Sequence, residues 1–449
     1  MGRIFGTDGA RGVAGRDLTI RLAADIGRAA AMVVGRNVER KPRILIGKDT
    51  RISSDMLESA VAAGLCSVGA DAVLVGVVPT PAVAYLVRRY GMDAGIMLSA
   101  SHNPYEYNGI KIFGPQGFKL RDEEEAAIEE IILDGVTEIP SLSGGDLGRV
   151  ERLENAHTDY VAHLAATVPG GLSGMRIAVD CANGSASATA AELFAQLGAE
   201  AVILCDQPNG VNINEGCGST HLEGLSQFVR EHGLAGGVAF DGDADRCLAV
   251  DENGDPVDGD QLLAIFGTAL REEGRLKGDC IVATVMSNLG FFTFARENGF
   301  ATDTTRVGDR YVLESMVKNG YSLGGEQSGH IIFLDHMTTG DGQLSAIQLL
   351  SVMKKTGKPL SELKNQMKKF PQTMVNVLAT PSMKAEWGSC EAVQAVIAGY
   401  EHTLGGRGRI LVRPSGTEPL IRVMVEGEDL SAIREAAQAI ANAIKENVK

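Results

Sequence analysis

Three times along the chain an apolar run, a helix-like segment and two further runs end in a loop crowded with polar side chains. In the first copy "PRILIGKDTR" leads through "SSDMLESAVAAGLCSVG" to "ADAVLVGVVPTP" and then to "DAGIMLSASHNP". The second copy runs from "MRIAVDCANGSA" through "SATAAELFAQLG" and "AEAVILCDQPNG" to "GGVAFDGDADR". A looser third copy has "GDCIVATVMSN", "LGFFTFARENG", "ATDTTRVGD" and "YSLGGEQSGH". Short apolar runs alternating with helical patterns predict α/β layers, and their recurrence predicts three related domains. Chance alternation would also make loops, but it gives no reason to load one with Ser-His-Asn, the next with three Asp and an Arg, and the third with Glu-Gln-Ser-Gly-His.

At 449 residues the chain exceeds one ordinary core, since a domain takes about 100–200 residues. The seams are expected near "GDLGRVERLENAHTDYVAHLAATV", where a helix joins the first two units, and at the Gly/Asp-rich "DENGDPVDGDQ". The helix-like "LSELKNQMKKFPQTMVNV" is expected to link the third unit to a different ending. There a sheet element in "RGRILVRPSGTEPLIRVMVEGED" precedes the amphipathic helix "LSAIREAAQAIANAIKENV". The predicted fold class is therefore α/β, with three related mixed α/β domains over residues 1–153, 154–254 and 255–370 and a smaller α+β domain over 371–449.

A net charge of −15 and the lack of a Lys/Arg stripe with interleaved aromatics argue against nucleic acid as a partner. A small anion needs only a local basic pocket. Seven cysteines, odd in number and without short paired spacings, predict reduced thiols and a cytoplasmic location. No apolar stretch approaches 18 residues, and "MGRIFGTDGARG" has no apolar signal segment behind its first charge, so neither membrane spanning nor export is expected.

"DGDADR" sets Asp241, Asp243 and Asp245 at alternate positions just past an apolar run. Three converging carboxylates repel unless a cation holds them; otherwise the stretch is a solvated acidic turn. The loop lacks the twelve-residue frame of an EF-hand, and Mg²⁺ is the expected ion, with Mn²⁺ and Zn²⁺ as alternatives. "RPSGTEPLIR" offers Arg413, Ser415, Gly416, Thr417 and Arg422, either as a surface turn or as a phosphate grip of guanidinium groups, hydroxyls and backbone N–H groups. "GGEQSGH" brings Glu326, Ser328 and His330, which can bond to sugar hydroxyls or an amino group, although a lone His beside "IIFL" also suits a structural role. "FGTDGARG" adds Thr7, Asp8 and Arg11 without the order of a P-loop. "SASHNP" reads either as a strand-to-helix cap or as a reactive serine, Ser101. No G-x-S-x-G elbow surrounds it. Together with the acidic loop it makes sense as a phosphoserine beside a metal.

In order and over essentially the whole length, "FGTDGARG", "SASHNP", "DGDADR", "GEQSGH" and "RPSGTEP" resemble the α-D-phosphohexomutase superfamily, and within it the bacterial enzymes acting on glucosamine phosphates. The resemblance implies four domains around a central cleft and a phosphoserine at Ser101. It implies Mg²⁺ held by Asp241, Asp243, Asp245 and a phosphoserine oxygen, with Arg246 beside the transferring group. Arg11, His102 and Lys111 would line the reacting phosphate, Glu326 and Ser328 the sugar, and Arg413, Ser415, Gly416, Thr417 and Arg422 the far phosphate. The implied reaction interconverts glucosamine 6-phosphate and glucosamine 1-phosphate through glucosamine 1,6-bisphosphate, which is intermediate and activator, and supplies UDP-N-acetylglucosamine synthesis. The partner is thus a small phosphosugar, and the resemblance leaves room for a homodimer. Glucose or mannose phosphates, a sugar phosphatase and a sugar-phosphate-binding module are the competing readings.

Overall fold

Each repeat folds into a sheet of one strand order in the computed structural model, which describes every residue except Met1, Thr7, Gly406, Gly416, Thr417, Lys449 and the side chain of Asn37. The chain divides into two units, Met1–Met286 with Phe300–Gln366 and Ser287–Gly299 with Met367–Lys449. The first repeat contains β1 (Ala10–Val13), α1 (Ile20–Val34), β2 (Arg43–Lys48), α2 (Ile52–Ser67), β3 (Asp71–Val77), α3 (Thr80–Arg89), β4 (Ala94–Leu98), β5 (Tyr107–Phe113), α4 (Asp122–Leu133) and β6 (Val150–Arg152). Its sheet order is β1-β5-β4-β2-β3-β6. Strand β2 lies parallel to β3 and β4, and β5 returns antiparallel to β4.

The second repeat has α5 (Ala156–Ala166), β7 (Arg176–Asp180), α6 (Ala190–Gln196), β8 (Glu200–Leu204), α7 (Glu223–His232), β9 (Gly236–Phe240), β10 (Cys247–Asp251) and β11 (Pro256–Val257), in the order β11-β10-β9-β7-β8. The third has α8 (Gly259–Glu272), β12 (Cys280–Thr284), β13 (Ala301–Thr305), α10 (Asp309–Asn319), β14 (Leu323–Gly325), β15 (Ile331–Phe333), α11 (Gly342–Thr356) and α12 (Leu360–Lys364), in the order β13-β12-β14-β15. Between β12 and β13 the chain passes through α9 (Leu289–Glu297), which groups with the second unit. Counting the shared strands from β2, β7 and β12, in all three sheets the first is flanked by the second and third in parallel, and the fourth (β5, β10, β15) runs antiparallel beside the third. Each polar loop is therefore the short connection from the third strand to the fourth.

Two local expectations change. "SASHNP" is no helix cap, because the chain turns through it into β5. The helix expected over "LSELKNQMKKFPQTMVNV" stops at Lys364, and Gln372–Leu378 is strand β16. Pro371 disfavours helix at Phe370, and the alternation of inward Val375 and Val377 with exposed Met374, Asn376 and Leu378 suits a sheet. The edge strand β6 carries no apolar run and was not anticipated.

The second unit pairs β16 with β18 (Leu420–Gly427) and β17 (Gly408–Pro414), all antiparallel in the order β16-β18-β17. Helices α13 (Pro381–Glu386), α14 (Glu391–Leu404) and α15 (Leu430–Asn447) complete it. Ile433, Ala437, Ile440 and Ile444, the apolar stripe of α15, pack on Ile421, Val423 and Val425. Buried Glu426 ties in the 287–299 segment: Asn288 Nδ2 donates to it at 3.0 Å and Leu289 N at 3.2 Å, while Arg409 pairs with it at 2.6 Å. Among the described residues no helix is long and apolar enough to cross a membrane.

In the first sheet the close approach of α1 and α2 rests on two glycines. A Cβ on Gly27 would lie 2.6 Å from Val61 O, and one on Gly64 2.2 Å from Ala24 O. Both obstacles are backbone, so only separation of the helices relieves them, and Ile26, Val61 and Leu65 of the shared core would lose packing. Gly64→Ala is expected to lower unfolding free energy by about 1–3 kcal/mol in urea titration, although alanine is the better helix former. A variant as stable as the parent would remove this account of the helix pair.

Candidate active site

The loop after β4 is built around a buried guanidinium. Arg51, 2% exposed, pairs with Asp49 through Nε at 2.7 Å, and Nη2 donates to the carbonyls of Ser101 at 2.8 Å and Asn103 at 2.9 Å. Nη1 donates to the Tyr107 carbonyl at 3.0 Å and also to that of Pro104. Asp49 in turn accepts from Ser54 and Ser99 hydroxyls at 2.9 and 2.6 Å. Asn214 of the second domain adds Nδ2 to the Ser101 carbonyl at 3.0 Å. Held on both sides, Ser101 takes φ +54°, a conformation few non-glycine residues adopt, and aims its hydroxyl across to the second domain.

There Ser101 Oγ donates to Asp241 Oδ2 at 2.5 Å. The loop after β9 brings Asp241, Asp243 and Asp245 together, each buried, with one oxygen of each within 4.8 Å of the others. Thr80 Oγ1 donates to Asp243 Oδ2 at 2.6 Å, and Lys111 Nζ reaches the same oxygen at 2.7 Å and Asp245 Oδ2 at 3.4 Å. Asp243 Oδ1 and Asp245 Oδ1 are buried with no hydrogen-bond partner. Burial, then Asp245 and Asp243, push the Asp241 carboxyl well above its usual range. Burial also opposes charge on Asp243, but Lys111 outweighs it and lowers that carboxyl. An all-oxygen donor set with two unpartnered buried oxygens fits a hard divalent cation.

The remaining residues close around this pair of loops. Burial disfavours the Lys111 ammonium, yet Asp243, Asp8 and Asp245 raise its pKa above the lysine value. Asp8 is a hub that Arg11 pairs with and that Lys111 and Lys119 approach at 3.5 and 2.8 Å. Lys119 continues to Asp309 at 2.6 Å. Arg246 Nη1 lies 3.4 Å from His102 Nδ1, which is itself 3.4 Å from Ser101 Oγ. Burial, Arg246 and Arg11 lower the His102 pKa.

The third loop joins the end of the second through Cys247 N to Gly329 O at 3.0 Å and is tied within its own domain by Gly259 N to Gln327 O at 3.0 Å. Glu326 accepts from Gly308 N at 3.1 Å and contributes to the field that raises the Arg246 pKa. Ser328 Oγ is buried without a partner. His330 has different neighbours: it is 3% exposed, stands 3.7 Å from Asp309 and lines, with Lys119, a cavity of about 740 Å³.

In the second unit Arg413 and Arg422 are direct cross-strand partners, and burial with the Arg422 charge lowers the Arg413 pKa. Ser415 Oγ accepts from Glu418 N at 3.2 Å, and its carbonyl accepts from Lys384 at 2.7 Å. Gly416 and Thr417 lie outside the described residues. Arg51, Asp49, Asn214, Thr80, Lys119 and Asp309 were not singled out from the sequence. Only the polar end of "PRILIGKDTR" carried a signal for the first two, because their partners lie far along the chain.

The chain matches the phosphoglucomutase/phosphomannomutase family in all four of its domains: alpha/beta/alpha domain I over residues 2–137, domain II over 157–254, domain III over 258–370 and the C-terminal domain over 374–443. It is 53% identical over 447 residues to the phosphoglucosamine mutase of Clostridium novyi, covering 99% of both chains. With that of Acetivibrio thermocellus it shares 51% over 448 residues and 100% of both. A phosphoglucomutase/phosphomannomutase family protein from Burkholderia thailandensis superposes with a TM-score of 0.83 at 26% identity, covering 99% of this chain and 98% of that one. Matched from end to end, the chain belongs to the phosphoglucomutase/phosphomannomutase family, the α-D-phosphohexomutases.

Proposed function

We propose that the chain is a phosphoglucosamine mutase that carries the transferring phosphoryl group on Ser101. The 2.5 Å bond from Ser101 Oγ to Asp241 carries the reading, because it joins a buried hydroxyl on one domain to a cation-binding carboxylate set on another. The full-length relatives named for that reaction support it.

Phosphoryl transfer asks mainly for alignment and charge stabilisation. Ser101 supplies the oxygen, fixed by Arg51 and Asn214 through its own carbonyl. In the forward direction the O1 hydroxyl of glucosamine 6-phosphate attacks the phosphorus of phosphoserine, the Ser101 Oγ–P bond breaks, and glucosamine 1,6-bisphosphate results. After the sugar turns end for end, Ser101 takes the phosphoryl group from O6 and glucosamine 1-phosphate leaves. Lys111, Arg246, Arg11 and His102 surround the transferring group, the first two kept positively charged by the carboxylates beside them. Asp241, Asp243 and Asp245 would hold Mg²⁺, which when bound neutralises charge on the phosphoryl oxygens. Glu326 offers a carboxylate to the 2-ammonium group and Ser328 a free hydroxyl to the ring. Arg413 and its cross-strand neighbour Arg422, the latter also paired with Glu418, offer guanidinium groups to the far phosphate. His330, whose buried ring nitrogens have no hydrogen-bond partner among the described residues, is offered to the sugar with Glu326 and Ser328. A cytoplasmic location accords with seven free thiols.

The metal assignment is open to a direct measurement. Asp243→Asn, which retains an acceptor for Thr80 and Lys111, is expected to cut kcat by more than the roughly 10–100-fold that loss of an outer-shell partner costs. Chelation should abolish turnover of the parent enzyme and Mg²⁺ should restore it best. Full activity in metal-stripped protein would refute the assignment.

The sugar is decided by kcat/KM for the 6-phosphates of glucosamine, glucose and mannose on one preparation of phosphorylated enzyme. Glucosamine 6-phosphate is expected to lead clearly, with isomer and little inorganic phosphate as product. An equal or greater value for a hydroxyl sugar would reassign the substrate, and phosphate release matching substrate loss would make the protein a phosphatase.

A further inference from the structure

A second reactive cluster lies in the second domain, outside the groups that phosphoryl transfer uses. Strand β8 ends at Leu204, and Cys205 follows with φ +49°. The chain then loops out and returns at Cys217. The two sulfur atoms and one carboxylate oxygen of Asp180 lie within 4.8 Å of one another.

The return point is firmly held. Asp180, the last residue of β7, accepts from Ala182 N at 2.8 Å and from Gly218 N at 2.9 Å, which fixes the residue after Cys217. Asn183 joins the two ends: its N–H donates to the Cys205 carbonyl at 2.6 Å, and its Nδ2 lies 3.8 Å from Cys217 Sγ. The two thiols are thus neighbours by construction of the loop.

Their environments differ in the way an attacking and a resolving cysteine differ. Cys205 is half-buried, while Cys217 is 4% exposed. Hydrogen bonding from Cys217 lowers the Cys205 pKa, and the same bond raises that of Cys217. A structural zinc site is the competing use of two thiols and a carboxylate. It takes four ligands where this cluster offers three, and both Asp180 oxygens already accept backbone N–H groups.

We propose that Cys205 and Cys217 form a reversible modification site that a hydroperoxide oxidises to a disulfide within the second domain. The Cys205 thiolate attacks a peroxide oxygen; an S–O bond forms, the O–O bond breaks, and the departing oxygen leaves as water or an alcohol after taking a proton. Cys217 sulfur then attacks the sulfenic sulfur, forming the S–S bond, and its proton leaves with the displaced hydroxyl as water. Two thiols lose two electrons and two protons, and one peroxide is reduced. An external dithiol reverses the change by exchange. The bond closes the loop that carries Asn214, whose amide holds the carbonyls of Ser101 and Asn103 at 3.0 and 3.2 Å. Oxidation therefore reports on, and locks, the brace of the serine loop.

The test treats the full chain with stoichiometric hydrogen peroxide and maps its peptides without reduction. The expected product has lost about 2 Da, links Cys205 to Cys217, and returns to the starting mass with dithiothreitol. In Cys217→Ser, dimedone should label a sulfenic acid at Cys205; in Cys205→Ser, neither a link nor a label should form at Cys217. The wild-type map carries the test alone if a variant fails to fold. Absence of the link, or oxidation of buried Cys181 or any other cysteine before Cys205, overturns the proposal. So does retention of one equivalent of zinc that shields both thiols after incubation with zinc alone and gel filtration, which would make the cluster a metal site.

Discussion

A guanidinium with no exposed atoms needs a partner for every donor, and the Arg51 side chain finds five, Asp49 and four carbonyls of the segment from Ser101 to Tyr107. Loss of one partner of such a buried pair typically costs about 3–5 kcal/mol, so the segment has little freedom to rearrange. The strained φ of Ser101 persists because this ion pair and Asn214 both fix its carbonyl. Position of the hydroxyl, its short bond to Asp241 and the meeting of the first two domains all follow from that anchoring.

Around the anchored hydroxyl, charge is arranged in alternating shells. The carboxylates of the DGDADR loop sit innermost, Lys111 and Arg246 next, and Asp8 with Glu326 beyond them. Lys111 and Arg246 are kept charged by flanking carboxylates in spite of burial, and Asp243 and Asp8 are kept ionised by the cations beside them. A doubly negative phosphoryl group brought beside Ser101 meets this field already oriented, which is the economy of a preorganised site.

Much of this was legible because chemistry and topology coincide in short motifs. The acidic triplet, the serine turn and the Glu-Gln-Ser loop each follow a third apolar run, and the sheets place them at equivalent positions. What escaped notice acts at long range. Asp49 and Arg51 bond to residues about fifty positions onward, and Asn214 reaches Ser101 from over a hundred away. Local pattern cannot disclose such partners, and Arg51 reads as an ordinary loop arginine until the fold closes on it. The serine turn misled in one respect for the opposite reason: Ser, Asn and Pro do favour helix starts locally, but the sheet needs its fourth strand at once.

Strand β5 alternates between two environments, Ile110 and Ile112 entering the core beneath α1 and α2 while Lys111 points into the acidic loop. Its pairing with β4 sets Lys111 opposite Met97. Adding or deleting one residue within β5 ahead of Lys111 would invert that alternation, driving an ammonium into hydrocarbon and an isoleucine among carboxylates. The phase of the strand is thus as constrained as its letters, since a single-residue slip exchanges the two faces that the core and the acidic loop require.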